Sequence, residues 1–257
     1  MMTAPSLTTP TDVLGGVGLT HLKVYEDRPA PDGQHSGCAH VHAVTDEAYF
    51  VVAGEGFLEL HDVANGFRVM PLVSGAFVQF TPGTIHRVVS TNRLEVVVVI
   101  GNAGLAERGD ARIYFGRDVD GKPDAYRRLA GLPKSKGRAG ALDRRDASIT
   151  GYMALLELRA SDPHAYQIEV ERFVQLHYRE MEALQAKFAA IVEAGPLRWA
   201  TIARDRIDAL PGGFAAAGSL AAEPRAEPVL GMCGMLRPVD GLQALPTISA
   251  YDAPTGR

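Results

Sequence analysis

Short runs of β-branched and aromatic residues alternate with turn signals from residue 19 to residue 100, and this pattern limits the fold more than any other feature. The breaks carry residues that tolerate turn dihedral angles, such as Asn65-Gly66, Ser74-Gly75 and Pro82-Gly83. No stripe of helical period runs through this region, so it is typical of a compact all-β barrel or sandwich. The predicted strands cover residues 19–25, 38–42, 47–53, 57–63, 67–72, 76–80, 86–90 and 94–100.

The second part of the chain changes to a helical period. Residues 117–145 are rich in Gly, Arg, Lys and Asp and are predicted to be a linker or loop, with a domain boundary near residue 145. Residues 146–210 form the predicted helical region, where Asp162 is a candidate N-cap and Pro163 the first residue of a long helix. We expect that helix to run to about residue 194, where Gly195-Pro196 would stop it.

The two ends of the chain differ in composition from its middle. Residues 1–14 are predicted to be an N-terminal arm, rich in Thr and Pro. Residues 211–257 are rich in Ala, Gly and Pro, but the apolar cluster at residues 229–236 favours packing back on the barrel.

Apolar residues in the long helix recur in alternating steps of four and three, which is the spacing of a coiled-coil seam. We interpret this stripe first as the face that docks on the protein's own domain. An intermolecular coiled coil or a helix-swapped dimer is the alternative. The stripe comprises Val170, Val174, His177, Met181, Leu184, Phe188 and Ile191.

The composition excludes several classes of protein. With 257 residues, 46% hydrophobic side chains and a formal charge of -4, the chain can build a substantial core and is not disordered. It lacks the clustered Lys and Arg that nucleic acid or an anionic membrane would require, and it has no uncharged apolar run long enough to span a bilayer. Its two cysteines, Cys38 and Cys233, are too few for a disulfide framework. We therefore expect a cytoplasmic protein with no nucleic-acid and no membrane partner.

The segment His40-Val41-His42 places two imidazoles on one face of a predicted strand, because strand side chains alternate. Glu47 follows five residues after His42, so the intervening chain must turn before this carboxylate can face the same point. The neighbouring Asp46 could serve in its place. His86, just after a turn, offers a third imidazole from a later strand. These side chains supply three nitrogen ligands and one oxygen ligand, with no sulfur, for one metal ion.

The spacings His40-x-His42-x4-Glu47-x6-Gly54 and Gly75-x5-Thr81-x-Gly83-x2-His86 resemble the two sequence motifs of the cupin superfamily. Thr81 stands where the family usually has Pro, and Ser90 where the second motif often ends in Asn. The resemblance covers residues 15–116 and implies a double-stranded β-barrel of jelly-roll type with a metal in its mouth. The expected fold class is therefore mainly β, a cupin-type barrel followed by an α-helical C-terminal region with a long helix.

The resemblance also implies a function centred on one divalent transition metal per chain. Fe(II) is favoured, and Mn, Ni, Cu, Co or Zn are alternatives, because imidazole and carboxylate ligands select weakly among these ions. We expect a metal-dependent oxidoreductase, an oxygenase of dioxygenase type, that acts on a small organic molecule. The alternatives are an isomerase, lyase or decarboxylase that uses Lewis-acid chemistry, and a non-catalytic ligand-binding module. Cupins are often dimers, so a homodimer is expected.

Some further side chains are candidates for the pocket around the metal. The main candidates are Tyr49, which shares the strand face of Glu47, together with Gln79 and Cys38, although a small buried thiol is the ordinary role for Cys38. Phe77 and Arg87 lie in the region of the second motif. The remaining histidines are expected at the surface or in support of the ligands, and they include His21, His35 and His61.

Overall fold

The computed structural model describes residues 13–132, 134–213, 220–222 and 227–244, so most of the predicted N-terminal arm and part of the last segment lie outside the described residues. Its strands are β1 (Gly18–Val24), β2 (His35–Ser36), β3 (His40–His42), β4 (Glu47–Asp62), β5 (Gly66–Val73), β6 (Phe77–Phe80), β7 (Ile85–Ile100), β8 (Ala111–Ile113), β9 (Leu220–Ala221), β10 (Val229–Leu230), β11 (Gly234–Pro238) and β12 (Gln243–Ala244). Its α-helices are α1 (Arg117–Asp120), α2 (Pro123–Ala130), α3 (Gly137–Ser161), α4 (Pro163–Met181), α5 (Gln185–Val192) and α6 (Arg198–Ala209).

Two long antiparallel strands, β4 and β7, organise the sheet. Each replaces two predicted strands, so the breaks expected between residues 53 and 57 and between residues 90 and 94 were wrong. The register between the strands shifts from Val51 to Gly56, which shows that these residues form β-bulges that bend the ladder without ending it.

The bend lets the two halves of β4 and β7 take different partners and form two facing layers. One half of β4 pairs with β6 and the other with β5, while β7 pairs with β1 at one end and with β2 and β3 at the other. The jelly-roll type predicted from the sequence is confirmed, since the strands form a two-layered roll. Over the described residues, its ladders do not close into a ring. Its buried interior contains Leu22, Val24, Tyr49, Val51, Leu58, Leu60, Leu72, Phe80, Val88, Leu94, Val96, Val98 and Cys233.

The segment after the helices returns to this sheet. Strand β11 pairs antiparallel with β1, from Thr20 opposite Pro238 to Val24 opposite Gly234, and β10 pairs with β11 in turn. We call the domain formed by β1–β8, β10 and β11 the β-roll. The turn between β10 and β11 therefore lies at the edge of its interior.

The predicted linker over residues 117–145 is mostly helical, since it contains α1, α2 and the start of α3. Its Gly- and Arg-rich composition gives little intrinsic helix propensity, but tertiary packing overrides this. Ala141 and Leu142 are buried against Tyr25, and the buried Arg145 donates to the backbone oxygens of Arg28 and Pro29. Contacts with the β-roll thus set the start of α3.

Helix α4 begins as predicted, with the Asp162 carboxylate accepting from the backbone N–H groups of His164 and Ala165. It ends at Met181, earlier than expected, and the predicted stop at Gly195-Pro196 was also wrong. A π-helical turn, Glu193–Leu197, accommodates the proline and leads directly into α6. Among the described residues, none of the helices combines the length and apolar character of a membrane span.

The N-terminal half of the predicted seam faces the protein's own β-roll. Val170 and Val174 on α4 belong to a buried cluster with Ile85 of β7 and Tyr152 of α3. His177 is also buried. This packing favours the interpretation of the stripe as an internal docking face.

Candidate metal centre

Four side chains from three strands converge inside the β-roll. Strand β3 carries His40 and His42, Glu47 is the first residue of β4, and His86 is the second residue of β7. All four are buried, each at most 4% exposed. Asp46, the alternative to Glu47, is exposed, so the turn before β4 directs only Glu47 inward.

The four side chains are close enough to share one ion. One ligand atom from each lies within 4.8 Å of the ligand atoms of the others. Glu47 Oε2 is 3.2 Å from His42 Nε2 and 3.1 Å from His86 Nε2. The spacing predicted from the sequence thus becomes one three-dimensional group.

Two atoms of this group lack the hydrogen bonds that burial normally demands. Neither Glu47 Oε2 nor His86 Nε2 has a hydrogen-bond partner, although both are inaccessible to solvent. An unsatisfied buried polar atom costs about 1–3 kcal/mol, and more when it is charged. A divalent cation would satisfy both atoms at once, so the residues present fit a metal ion.

The backbone fixes two of the imidazoles with their Nε2 atoms directed inward. His40 Nδ1 donates to the carbonyl oxygen of Cys38, and His86 Nδ1 donates to that of Thr84, both at 3.2 Å. A proton on Nδ1 leaves the lone pair on Nε2, which is the form that binds metals.

No protein-family model matches the sequence, and no curated protein matches it. Several solved structures align with part of the chain. A TDP-fucose-3,4-ketoisomerase from Campylobacter jejuni is 7% identical and covers 32% of this chain and 57% of its own, with a TM-score of 0.27. A cupin superfamily protein from Desulfitobacterium hafniense is 15% identical and covers 38% and 72%, with a TM-score of 0.26. A Klebsiella pneumoniae protein with a double-stranded β-helix domain is 25% identical and covers 34% and 69%, with a TM-score of 0.24.

The chain thus spans less than two thirds of the Campylobacter isomerase. The motif spacings, the two-layered roll and the convergence of His40, His42, Glu47 and His86 decide the resemblance. The predicted likeness to the cupin superfamily is confirmed. We call the four residues the cupin site.

Asp110 is a part of the cupin site that the sequence did not reveal. Its Oδ2 accepts from His42 Nδ1 at 3.1 Å, and its Oδ1 accepts from the backbone N–H groups of Ala43 and Val44. This carboxylate therefore orients the third imidazole and holds the turn that brings Glu47 into place. His177 of α4 donates through Nε2 to the Asp110 carbonyl oxygen at 2.6 Å, which links the helical region to the site.

Burial and mutual contact give the cupin site unusual proton affinities. Burial lowers the pKa of His40 well below its usual value, and the two neighbouring imidazoles lower it further. Burial also opposes the charge on His42, but the hydrogen bond with Asp110 and the negative charge of the nearby Glu47 raise its pKa to about 9. Burial likewise opposes ionisation of Glu47, yet the imidazoles of His86 and His42 hold its pKa well below the usual range. An ionised carboxylate among imidazoles suits a cation.

Tyr49 lies beside the cupin site, whereas Cys38 does not. The Tyr49 hydroxyl is buried, and Cys233 Sγ lies 3.8 Å from it and 3.7 Å from His40 Nε2. The Cys38 side chain packs with Ile113 and Phe115 instead. Strand β3 begins only at His40, so the alternation of sides does not extend back to Cys38. Cys233 is far from the motifs in sequence and carried no signal of its own.

Arg87 and His61 belong to a buried network between the β-roll and the helices. Arg87 donates to Glu59, which also accepts from the Tyr152 hydroxyl. His61 lies between the hydroxyls of Tyr152 and Tyr166, at 2.6 and 2.8 Å, so the expectation of a surface or site-supporting role for it was wrong.

The other sequence candidates lie nearer the surface. Phe77 is exposed, and Gln79 is exposed as well. His21 is partly exposed and pairs with Glu95 at 2.8 Å, and His35 on β2 is partly exposed too. None of these four side chains belongs to the group that converges in the β-roll.

A cleft of about 590 Å³ lies between the β-roll and α4. Gln79 lines it from β6, and Gln175 and Tyr178 line it from α4. Phe80 also lines the cleft, and its ring packs at a tilt against His86, with ring centroids 4.5 Å apart. Phe80 thus contacts both the cleft and the cupin site.

Proposed function

We propose that this chain is a metal-dependent enzyme that acts on a small organic molecule at the cupin site. The observation that carries the proposal is the convergence of three imidazoles and one carboxylate, with Glu47 Oε2 and His86 Nε2 buried and unpaired. The two atoms lie 3.1 Å apart but make no hydrogen bond, whereas the buried polar atoms of a purely structural cluster are normally satisfied.

An oxygenase with Fe(II) is the more specific proposal. Three nitrogens and one oxygen from the protein leave one or two positions on a five- or six-coordinate ion, and a redox-active ion at such a centre supplies dioxygen activation. The chain's own part is to hold the imidazole Nε2 atoms inward through Cys38, Thr84 and Asp110 and to exclude water. One or two open positions would suit a substrate that binds through one or two atoms.

The cleft beside Phe80 is the proposed substrate pocket. Its volume is within the range of small-molecule sites. Apolar side chains such as Met70 and Val174 and polar ones such as Arg68 and Gln175 share its surface, so a substrate with both characters would fit. Helix α4 then forms one wall of the pocket, which gives the helical region a role in binding.

The test begins with elemental analysis of the protein reconstituted anaerobically with Fe(II), followed by oxygen uptake. Phenols, diketones, thiols and amino acids form the substrate panel. We expect about one iron per chain and uptake with at least one compound class, both lost in a His40→Ala, His86→Ala double variant. Iron bound without uptake on the whole panel would contradict the oxygenase, and no metal bound would contradict the enzyme proposal itself.

The buried Tyr49 hydroxyl favours a second candidate, an isomerase, lyase or decarboxylase. Burial raises the pKa of Tyr49 well above its usual value, so the hydroxyl keeps its proton beside Glu47 and can donate it in a hydrogen bond to a developing oxyanion. In this case the ion supplies Lewis-acid polarisation of a carbonyl or carboxylate. Turnover by the zinc form without oxygen would favour this candidate. Retention of a ligand without turnover would favour a binding module.

A further inference from the structure

A buried imidazole on α4 reaches the surroundings of the cupin site from the helical region. His177 is 1% exposed and donates through Nε2 to the backbone carbonyl oxygen of Asp110 at 2.6 Å. Its other ring nitrogen, Nδ1, is buried without a hydrogen-bond partner, which is unfavourable. The neighbouring seam residues Val170 and Val174 show that apolar side chains suit this face of α4. An exception of this kind to core packing is expected at a functional position.

Asp110 connects this imidazole to a ligand of the cupin site. Its carbonyl oxygen accepts from His177 and also from the backbone N–H of Ala43 at 3.1 Å. Its carboxylate accepts from His42 Nδ1 at 3.1 Å. A displacement of α4 would therefore pass through this one residue to the ring of His42 and to the turn that leads to Glu47.

Helix α4 approaches His42 at a second point as well. The backbone N–H of Gly83 donates to the His42 carbonyl oxygen at 2.9 Å. Tyr178 lies directly against Gly83, because a Cβ atom at that glycine would be only 2.8 Å from the Tyr178 hydroxyl oxygen. Two consecutive residues of α4, His177 and Tyr178, thus contact the two groups that hold the imidazole and the carbonyl of His42.

The same turn of α4 forms part of the cleft. Val174, Gln175 and Tyr178 line the cleft from this helix, and Gly83 lines it as well. Helical residues three and four positions apart are neighbours, so these side chains and His177 belong to one turn that moves as a unit. The position of the cleft wall and the orientation of His42 therefore depend on each other.

We propose that His177 is a positioning residue that couples α4 to the metal centre. The inference rests on the proposed metal-dependent function. An ion in the cupin site holds His42, and His42 holds α4 through Asp110 and His177. Because coupling between two sites is reciprocal, whatever fixes α4, including a molecule in the cleft, strengthens metal binding.

The test uses two changes at residue 177 and a control on the same helix. His177→Gln keeps an N–H donor near the position of Nε2, whereas His177→Phe keeps a ring without a donor. Phe173 is fully buried, and its ring lies 4.9 Å from that of Tyr114. Phe173→Leu therefore disturbs the packing of α4 and leaves the hydrogen bond of His177 in place.

Amide hydrogen exchange of α4 is measured with and without Co(II), and competition with a chromogenic chelator gives the Kd of Co(II). In wild type, cobalt should slow exchange in α4 at least about fivefold, while α6, in which no residue is buried, gives the unchanged reference. His177→Phe should lose this slowing and bind cobalt at least about fivefold more weakly. His177→Gln and Phe173→Leu should keep both the slowing and the Kd.

The outcomes separate this inference from the proposed function. Cobalt bound to wild type without slower exchange in α4 overturns the coupling and leaves the metal-dependent function intact. Slower exchange or an unchanged Kd in His177→Phe overturns the role of His177. An equal loss in His177→Gln or Phe173→Leu assigns the effect to packing and overturns that role too. Absence of bound cobalt from wild type overturns both proposals. The wild-type measurement needs no substitution, so a folding defect in a variant does not hide the result.

Discussion

His40 and His86 are direct cross-strand partners, and their imidazole centroids lie 3.9 Å apart. Strand β3 pairs with β7 at this position, so the two motifs of the sequence meet through the backbone ladder itself. A slip of one residue would turn either imidazole to the opposite face. The register of β3 against β7 is thus a condition for the metal centre.

The first prediction concerns Glu47. We expect Glu47→Gln to remove most metal binding, because the amide carries no charge to hold a cation among three imidazoles. In wild type, metal at one hundred times its Kd should stabilise the fold by about 2.7 kcal/mol, and this gain should disappear in the variant. Thermal unfolding with and without Fe(II) or Co(II) measures it.

The matched control is Asp46→Asn, which removes a neighbouring carboxylate that is exposed. It should keep the full metal-dependent rise in the melting temperature. Loss of the rise in Asp46→Asn, with retention in Glu47→Gln, would show that the wrong carboxylate has been assigned.

The second prediction concerns Asp110, which accepts from His42 Nδ1. Asp110→Asn should weaken metal binding about 10–100-fold, because the carboxylate that orients the imidazole is lost while the ligands themselves remain. Competition with a chromogenic chelator gives the Kd. The exposed Asp118, changed to Asn, should leave the Kd unaltered. Equal Kd values for wild type and Asp110→Asn would contradict the role of this residue.

The site motif could be read from the sequence because its chemistry is local. The alternation of side chains along a strand places His40 and His42 on one face, and the Pro82-Gly83 turn predicts the start of the strand that carries His86. Asp110 and Cys233 could not be found in this way, since only the pairing of β8 with β3 and of β11 with β1 brings them near. Neither residue is in a spacing that short-range rules recognise.

The fold shows the same division between local and distant causes. The Asp162-Pro163 start of α4 was predictable because an N-cap uses only neighbouring residues. The start of α3 at Gly137 was not, because the burial of Ala141 against Tyr25 decides it. The bulges near Gly54 look like turns in sequence, and only the partner strand β7 shows that the ladder continues.

The third prediction concerns Phe80, which lines the cleft and packs against His86. Phe80→Leu should open a path to the cupin site and speed the removal of bound metal by a chelator several-fold. Stopped-flow absorbance of the cobalt form measures the rate. Phe77→Leu is the control on the same strand, where the side chain is exposed and should not affect the rate. Equal rates for wild type and Phe80→Leu would show that the metal leaves by another route.

The last prediction concerns the buried His61, whose pKa burial lowers to about 3. The unfolded chain binds a proton near the ordinary pKa of about 6.5, so the fold binds fewer protons between these values and loses stability as the pH falls through them. Between pH 7 and pH 5 the loss from this residue should be about 2 kcal/mol. His177, with a pKa lowered to about 4, adds a similar loss that a change at residue 61 leaves in place.

A His61→Gln variant therefore should lose about 2 kcal/mol less than wild type over the same interval, although it is less stable at pH 7 because the hydrogen bonds with Tyr152 and Tyr166 are disturbed. Urea unfolding of the metal-free protein at both pH values measures the difference. The exposed His164 on α4, changed to Gln, should follow wild type. Parallel losses in wild type and His61→Gln would show that the imidazole is protonated in the folded state at pH 5.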